Sequence, residues 1–222
     1  MLKLGIDDAG RGPVIGPMIL AGCLIDEETE SEFKKLGVKD SKQLTEKRRE
    51  FLAEIIREKA EAFEIEIIRP EEIDGKNREG VKLNEVEAIA CAKIINRINR
   101  GFDKIKIIID CPSTNISKWT DFLKRNVENL SNLEISCEHK ADVNHIAVSA
   151  ASIIAKSTRE KEMSILKEKY GSEIGSGYSS DPRTTKFLAA NVKKYHHDGI
   201  FRKSWATWKT ATGKTEQKKL GF

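Results

Sequence analysis

Short apolar runs alternate along this chain with longer stretches in which apolar side chains recur every three or four residues. Residues 3–8 (KLGIDD) and 17–25 (PMILAGCLI) read as two strands. The connection between them, residues 10–17 (GRGPVIGP), is too short for a helix, so the two strands are expected to pair as neighbours. Further strands are expected near 64–69, before Pro70, at 104–110, and at 133–138 running on toward Asp142.

Helical spacing appears at 45–63, with Thr45 as N-cap and Phe51, Leu52, Ile55 and Ile56 on one apolar face. It recurs at 83–101, with Val86, Ile89, Ala90 and Ile94 on one face and Gly101 at the end, and again at 116–127. A long helix is expected over 147–171. Its first half is dominated by Ala147, Ser149, Ala150, Ala151, Ser152 and Ala155, small enough to let its backbone lie close on a neighbour. A last helix, over 181–196, begins with Pro182 in its first turn. Strands and helices alternating after an initial strand pair indicate an α/β fold: a mixed sheet flanked by helices, followed from about residue 175 by a basic helical extension.

Composition narrows the class of protein. The 222 residues are 39% apolar, enough for a sizeable core, and 33% charged, with a net charge of +4 that only weakly favours an anionic partner. Cys23, Cys91, Cys111 and Cys137 are scattered without a CxxC pair, so free thiols are expected rather than a disulfide framework or a zinc site. No signal peptide or membrane span is visible, which points to the cytoplasm, and nothing calls for more than a monomer.

The candidate chemistry lies where strands end. Asp7, Asp8 and Asp110 each close an apolar strand, and in open α/β sheets ligands bind beyond strand ends. Asp142 stands where a strand gives way to the small-residue helix. Carboxylates brought to one place repel each other unless a cation neutralises them. An all-oxygen set suits Mg²⁺ or Mn²⁺, and two such ions serve in-line displacement at phosphorus. Any single strand-end aspartate is more often a turn former, and Asp142 could equally cap the helix that follows. The GRG at 10–12 could equally be a tight turn between two strands.

Five segments in order, GIDDAGRGPVIGP, GVKDSKQL, IIIDCP, EHKADVNHIAVSAASIIAK and GSGYSSDPRT, make the chain resemble ribonuclease HII, the type 2 ribonuclease H, in its archaeal form. The likeness spans residue 4 to about 210. It implies a ribonuclease H-like catalytic domain over 1–174, a C-terminal helical extension over 175–216 and a tail at 217–222. It also implies an endonuclease that cuts RNA in RNA–DNA hybrids and at ribonucleotides embedded in duplex DNA, leaving 5′-phosphate and 3′-hydroxyl ends, with two Mg²⁺ or Mn²⁺ ions.

The family's four catalytic, metal-binding acids fall on Asp7, Asp8, Asp110 and Asp142. Its ribose-reading motif falls on Gly10, Arg11 and Gly12, and its sugar-stacking tyrosine on Tyr178. Lys39, Ser41 and Lys42 resemble its backbone-binding loop, and Gln217, Leu220 and Phe222 resemble, with the aromatic residue one place early, the sliding-clamp tail of archaeal replication and repair enzymes.

There are two departures. The family has glutamate where this chain has Asp8, which implies weaker metal affinity or slower turnover. It often has an aromatic–proline pair where this chain has His145 and Ile146, so His145 is expected at the surface or as a cap. Two other readings remain open: a non-catalytic hybrid binder, and another two-metal nuclease of the same fold. A tyrosine and GRG turn that sense a 2′-hydroxyl argue against the latter.

Overall fold

The computed structural model describes residues 1–39 and 44–213. Five strands form one mixed sheet: β1 (Leu2–Ala9), β2 (Met18–Ile25), β3 (Ala62–Ile68), β4 (Ile105–Asp110) and β5 (Leu133–Glu138). Their spatial order is β3-β2-β1-β4-β5. β2 runs antiparallel to both β1 and β3, with Asp7 opposite Ala21 and Asp8 opposite Leu20. β4 runs parallel to β1, and β5 parallel to β4. The short connection expected between the first two strands does join an antiparallel pair. Parallel pairing of β1 with β4 carries both chain directions to the same edge of the sheet, which is where Asp7, Asp8 and Asp110 lie.

Helices cover both faces. α4 (Leu83–Ile98) and α5 (Ile116–Arg125) pack with Leu4, Ile6, Leu20, Ile107 and Ile109 on one side. On the other side, α1 (Glu27–Leu36), α2 (Glu46–Lys59) and α7 (Ile146–Tyr170) enclose Ile19, Ala21, Cys23 and Ile25. The small face of α7 does let it approach closely. A Cβ on Gly5 of β1 would fall 2.1 Å from the carbonyl carbon of Ala147, so helix and strand meet backbone to backbone.

The remaining helices are α3 (Pro70–Arg78), the single turn α6 (Ala141–Asn144), α8 (Pro182–Asn191) and α9 (Ala206–Ala211). A third apolar cluster joins Ile174, Phe187, Leu188, Ile200, Phe201 and Trp208 to Val14 and Ile15 of the β1–β2 connection. The C-terminal segment therefore packs against that connection, with one bridge pairing Ile15 to Phe201.

Several details differ from expectation. Phe51 does not join the buried face of α2. Leu52, Ala53 and Ile56 do, while Phe51 is 50% exposed beneath the Arg48 guanidinium, 5.0 Å from the ring centre. α4 is buried nearly all round rather than along one stripe, and its cap is Asn99, two residues before the expected Gly101. α1 and α3 carry one and two buried apolar side chains respectively, too few to leave a periodic signal. The helix expected from 181 is regular only to Asn191.

Candidate active site

Asp7 and Asp8 sit near the end of β1, where alternation sends neighbouring side chains to opposite faces of the sheet. Asp7 is 6% exposed, hydrogen-bonds the Ser152 side chain of α7, and accepts from the Asp8 N–H at 2.8 Å. Asp8 lies toward α4, lining a small crevice with Glu87, Asp110 and Trp119. Asp110 is the last residue of β4 and accepts from the Ala141 N–H at 3.0 Å, which ties the turn bearing Asp142 to the end of that strand. Asp142 is buried in α6, and its carbonyl accepts from the Ser149 hydroxyl at 2.6 Å. The N-cap position of α7 belongs to His145, whose ring meets Glu138 at 3.0 Å, so Asp142 is not that helix's cap.

Electrostatics marks this edge as one site. Burial, with added repulsion from Asp8 and Asp110, pushes the Asp7 carboxyl up to about 8. Burial also pushes Asp8 up to about 6, where Arg11 pulls it down and Asp110 pushes it up. Among the described residues, no three carboxylate, histidine or cysteine side chains stand close enough to hold an ion as placed. The donor set nonetheless fits a hard divalent cation: its members are oxygen acids, two of them resist ionisation through burial and mutual repulsion, and a cation relieves both.

An open cleft of about 340 Å³ adjoins the acids. Asp8, Gly10, Arg11, Gly12, Arg49, Lys156, Arg159 and Tyr178 face it. Gly10 has φ 78°, and a Cβ there would meet the Arg159 side chain at 2.3 Å. The glycine thus serves both the left-handed turn and a close approach. Tyr178 is 39% exposed, lies over the Arg159 guanidinium at 5.0 Å, and would be 3.8 Å from a Cβ on Gly12. The structure thus brings GRG and Tyr178 to one cleft. Lys39 is exposed, while Ser41, Lys42, Gln217, Leu220 and Phe222 lie outside the described residues.

Glu87 is a residue that sequence reasoning passed over. It is 2% exposed, accepts from Arg11 Nε at 2.8 Å, and has its second oxygen without a partner. Burial, then repulsion from Asp8, pushes it up to about 8. Arg11 also donates to the Asn84 side chain at 2.6 Å, so its guanidinium is turned onto α4. An acid inside the otherwise apolar run from Val86 to Ala92 was the available signal. Arg49, Lys156 and Arg159 were also missed, because charged residues on helices ordinarily face solvent.

The family model described as "Ribonuclease HII" matches residues 4–208. The Ribonuclease HII of Methanocaldococcus jannaschii is 43% identical over 230 residues, covering 99% of each chain. Among solved structures, the ribonuclease H2 of Pyrococcus horikoshii OT3 superposes with a TM-score of 0.85 at 37% identity, covering 96% of this chain and 98% of that one. The RNase HII of Archaeoglobus fulgidus, solved in a complex with PCNA, gives 0.80 at 36% identity and covers 97% of both. With its sheet order, its acids at one strand edge and these likenesses over nearly its whole length, the chain belongs to the ribonuclease HII family, and it is a nuclease that acts on RNA–DNA hybrids.

Proposed function

We propose that the protein hydrolyses the RNA strand of hybrids and the bond 5′ to a single ribonucleotide embedded in duplex DNA, leaving 5′-phosphate and 3′-hydroxyl ends. The observation that carries this reading is adjacency: Asp8, whose ionisation is suppressed by burial and by Asp110, lines the cleft that holds GRG and Tyr178, and its chain neighbour Asp7 is suppressed likewise. Asp7, Asp8, Asp110 and Asp142 would hold two divalent cations, Mg²⁺ or Mn²⁺. Bound there, the cations would polarise the scissile phosphate and lower the pKa of the attacking water.

The chain's own residues do the rest. Asp7 and Asp110, on neighbouring parallel strands, would set the place of the cations, and so of the phosphate, relative to the sheet. The backbone at Gly10, Arg11 and Gly12 meets the ribose 2′-hydroxyl, and the Tyr178 ring lies against the adjoining sugar. Lys156 and Arg49 face the phosphate backbone and contribute position rather than sequence readout. Lys39, Ser41 and Lys42 extend that contact along the strand. The tail residues Gln217, Leu220 and Phe222 bind a sliding clamp, a reading supported by the Archaeoglobus relative's complex with PCNA.

The test uses duplex DNA with one ribonucleotide, incubated with Mg²⁺ and separately with Mn²⁺. Cleavage 5′ to the ribonucleotide is expected, with no cleavage of the matching all-DNA duplex. Binding without cleavage would assign a non-catalytic hybrid binder instead. Equal cutting of both duplexes would assign a general nuclease.

A further inference from the structure

The segment Arg202–Lys203–Ser204–Trp205 reaches back to the turn at residues 10–16 and takes hold of its carbonyl groups. Arg202 is fully buried. Its Nη2 donates to Gly10 O at 2.6 Å and Gly16 O at 3.0 Å, its Nη1 to Arg11 O at 2.7 Å, and its Nε to Gly16 O at 3.1 Å. Trp205 lies against the same guanidinium at 5.0 Å, and its indole N–H donates to Gly12 O at 3.0 Å. The three carbonyls of Gly10, Arg11 and Gly12 are therefore all held by two side chains from the other end of the chain. Behind them, buried Asp74 of α3 accepts from the N–H groups of Lys203 and Ser204 at 2.7 and 2.9 Å, and from the Ser204 hydroxyl at 2.6 Å.

The consequence follows from peptide geometry. In a planar trans peptide, the N–H of the next residue points opposite to the carbonyl. Drawing the Gly10 and Arg11 carbonyls onto Arg202 turns the N–H groups of Arg11 and Gly12 the other way. Neither N–H meets a protein acceptor among the described hydrogen bonds, and both residues line the cleft. The next residue is Pro13, which has no N–H, so the turn presents two outward donors. A turn with two glycines is soft by itself, and fixing its donors ahead of binding removes an ordering cost from recognition.

We infer that Arg202 and Trp205 are positioning residues for ribose recognition: they hold the Gly10–Arg11–Gly12 turn with its N–H groups facing the 2′-hydroxyl. The inference rests on the reading that this turn senses the sugar.

The test compares Trp205→Phe, which keeps an aromatic six-membered ring but loses the indole donor with its five-membered ring, with Arg202→Lys, which keeps the charge but cannot span three carbonyls. Binding is measured by fluorescence anisotropy in EDTA, for a duplex with one ribonucleotide and for the same duplex in all-DNA form. Steady-state cleavage with Mg²⁺ accompanies it. In each variant the ratio of the two affinities is expected to fall about tenfold, with all-DNA affinity within about twofold of wild type. KM for the ribonucleotide substrate is expected to rise by about the same factor, with kcat within about threefold. An unchanged ratio, or an equal loss on both duplexes, overturns the inference. If Arg202→Lys fails to fold by thermal melting, Trp205→Phe decides alone. A wild-type ratio of one would instead sink the sugar-sensing role of the turn, and the positioning role with it.

Discussion

Asp8 stands where the family resemblance implies a glutamate, one methylene longer, and it borders a crevice that also holds Glu87. Asp8→Glu restores the reach and keeps the charge. Because ~1 Å of misplacement can cost on the order of 10²-fold in rate, kcat in Mg²⁺ is expected to rise by about tenfold or more. An unchanged rate and unchanged metal dependence would remove Asp8 as a handicap.

The buried acids also set a pH dependence. In the unfolded chain Asp7 and Asp8 titrate near 3.8 and Glu87 near 4.5, whereas in the folded protein they titrate at about 8, about 6 and about 8. Between those limits the native state keeps protons that the unfolded chain has released, so stability falls as pH rises through the window from about 4 to about 8. Metal-free protein is therefore expected to melt several degrees lower at pH 8 than at pH 5. Added Mn²⁺ should recover much of the difference at pH 8 and little at pH 5. A melting temperature flat across this range in EDTA would contradict the assignment.

At this scale the sequence was partly legible. Asp7, Asp8 and Asp110 stand out because an apolar run ending in a charge is visible without coordinates. Glu87 and Arg202 do not, since a glutamate on a helix and an arginine in a basic segment both look like solvated surface. Only tertiary contact makes them buried.

Among the elements, α7 is the one whose small side chains had a discernible purpose. Its contact with β1 leaves no room for a methyl group at Gly5. Gly5→Ala would force α7 off the strand and is expected to cost about 3 kcal/mol of stability, read by denaturant titration. Because Ser152 of α7 hydrogen-bonds Asp7, activity should fall further than the loss of folded protein accounts for. A variant as stable as wild type would mean the helix can retreat freely. Strands and long helices were readable because their periodicity reflects burial along their length. α1 was not, since it buries a single side chain, Phe33, and is fixed instead by the Asp26 cap on Thr29 at 2.8 Å. α3 begins on a proline that reads equally well as the end of a strand.

On the scale of the whole molecule, the two sheet faces and the C-terminal segment hold the three larger apolar clusters among the described residues, and the third includes Val14 and Ile15 from the first strand connection. The alternation of elements indicated the layers, but a join between residues near opposite ends of the chain leaves no local pattern. The tail is the part expected to be dispensable for chemistry. Deleting residues 217–222 should abolish clamp binding in a pull-down while leaving kcat and KM on naked duplex unchanged. Retained clamp binding would place the anchor elsewhere.

The hold of Arg202 on Gly10 spans 192 positions of sequence. Contacts of such separation close late in folding, and during synthesis they cannot close before the far partner has left the ribosome. A nascent chain halted after α7 would already contain all four candidate acids at the sheet edge, yet its Gly10–Gly12 turn would still lack its fastening. On the proposed reading of that turn, the order of translation thus makes ribose discrimination a later acquisition than the assembly of the acids.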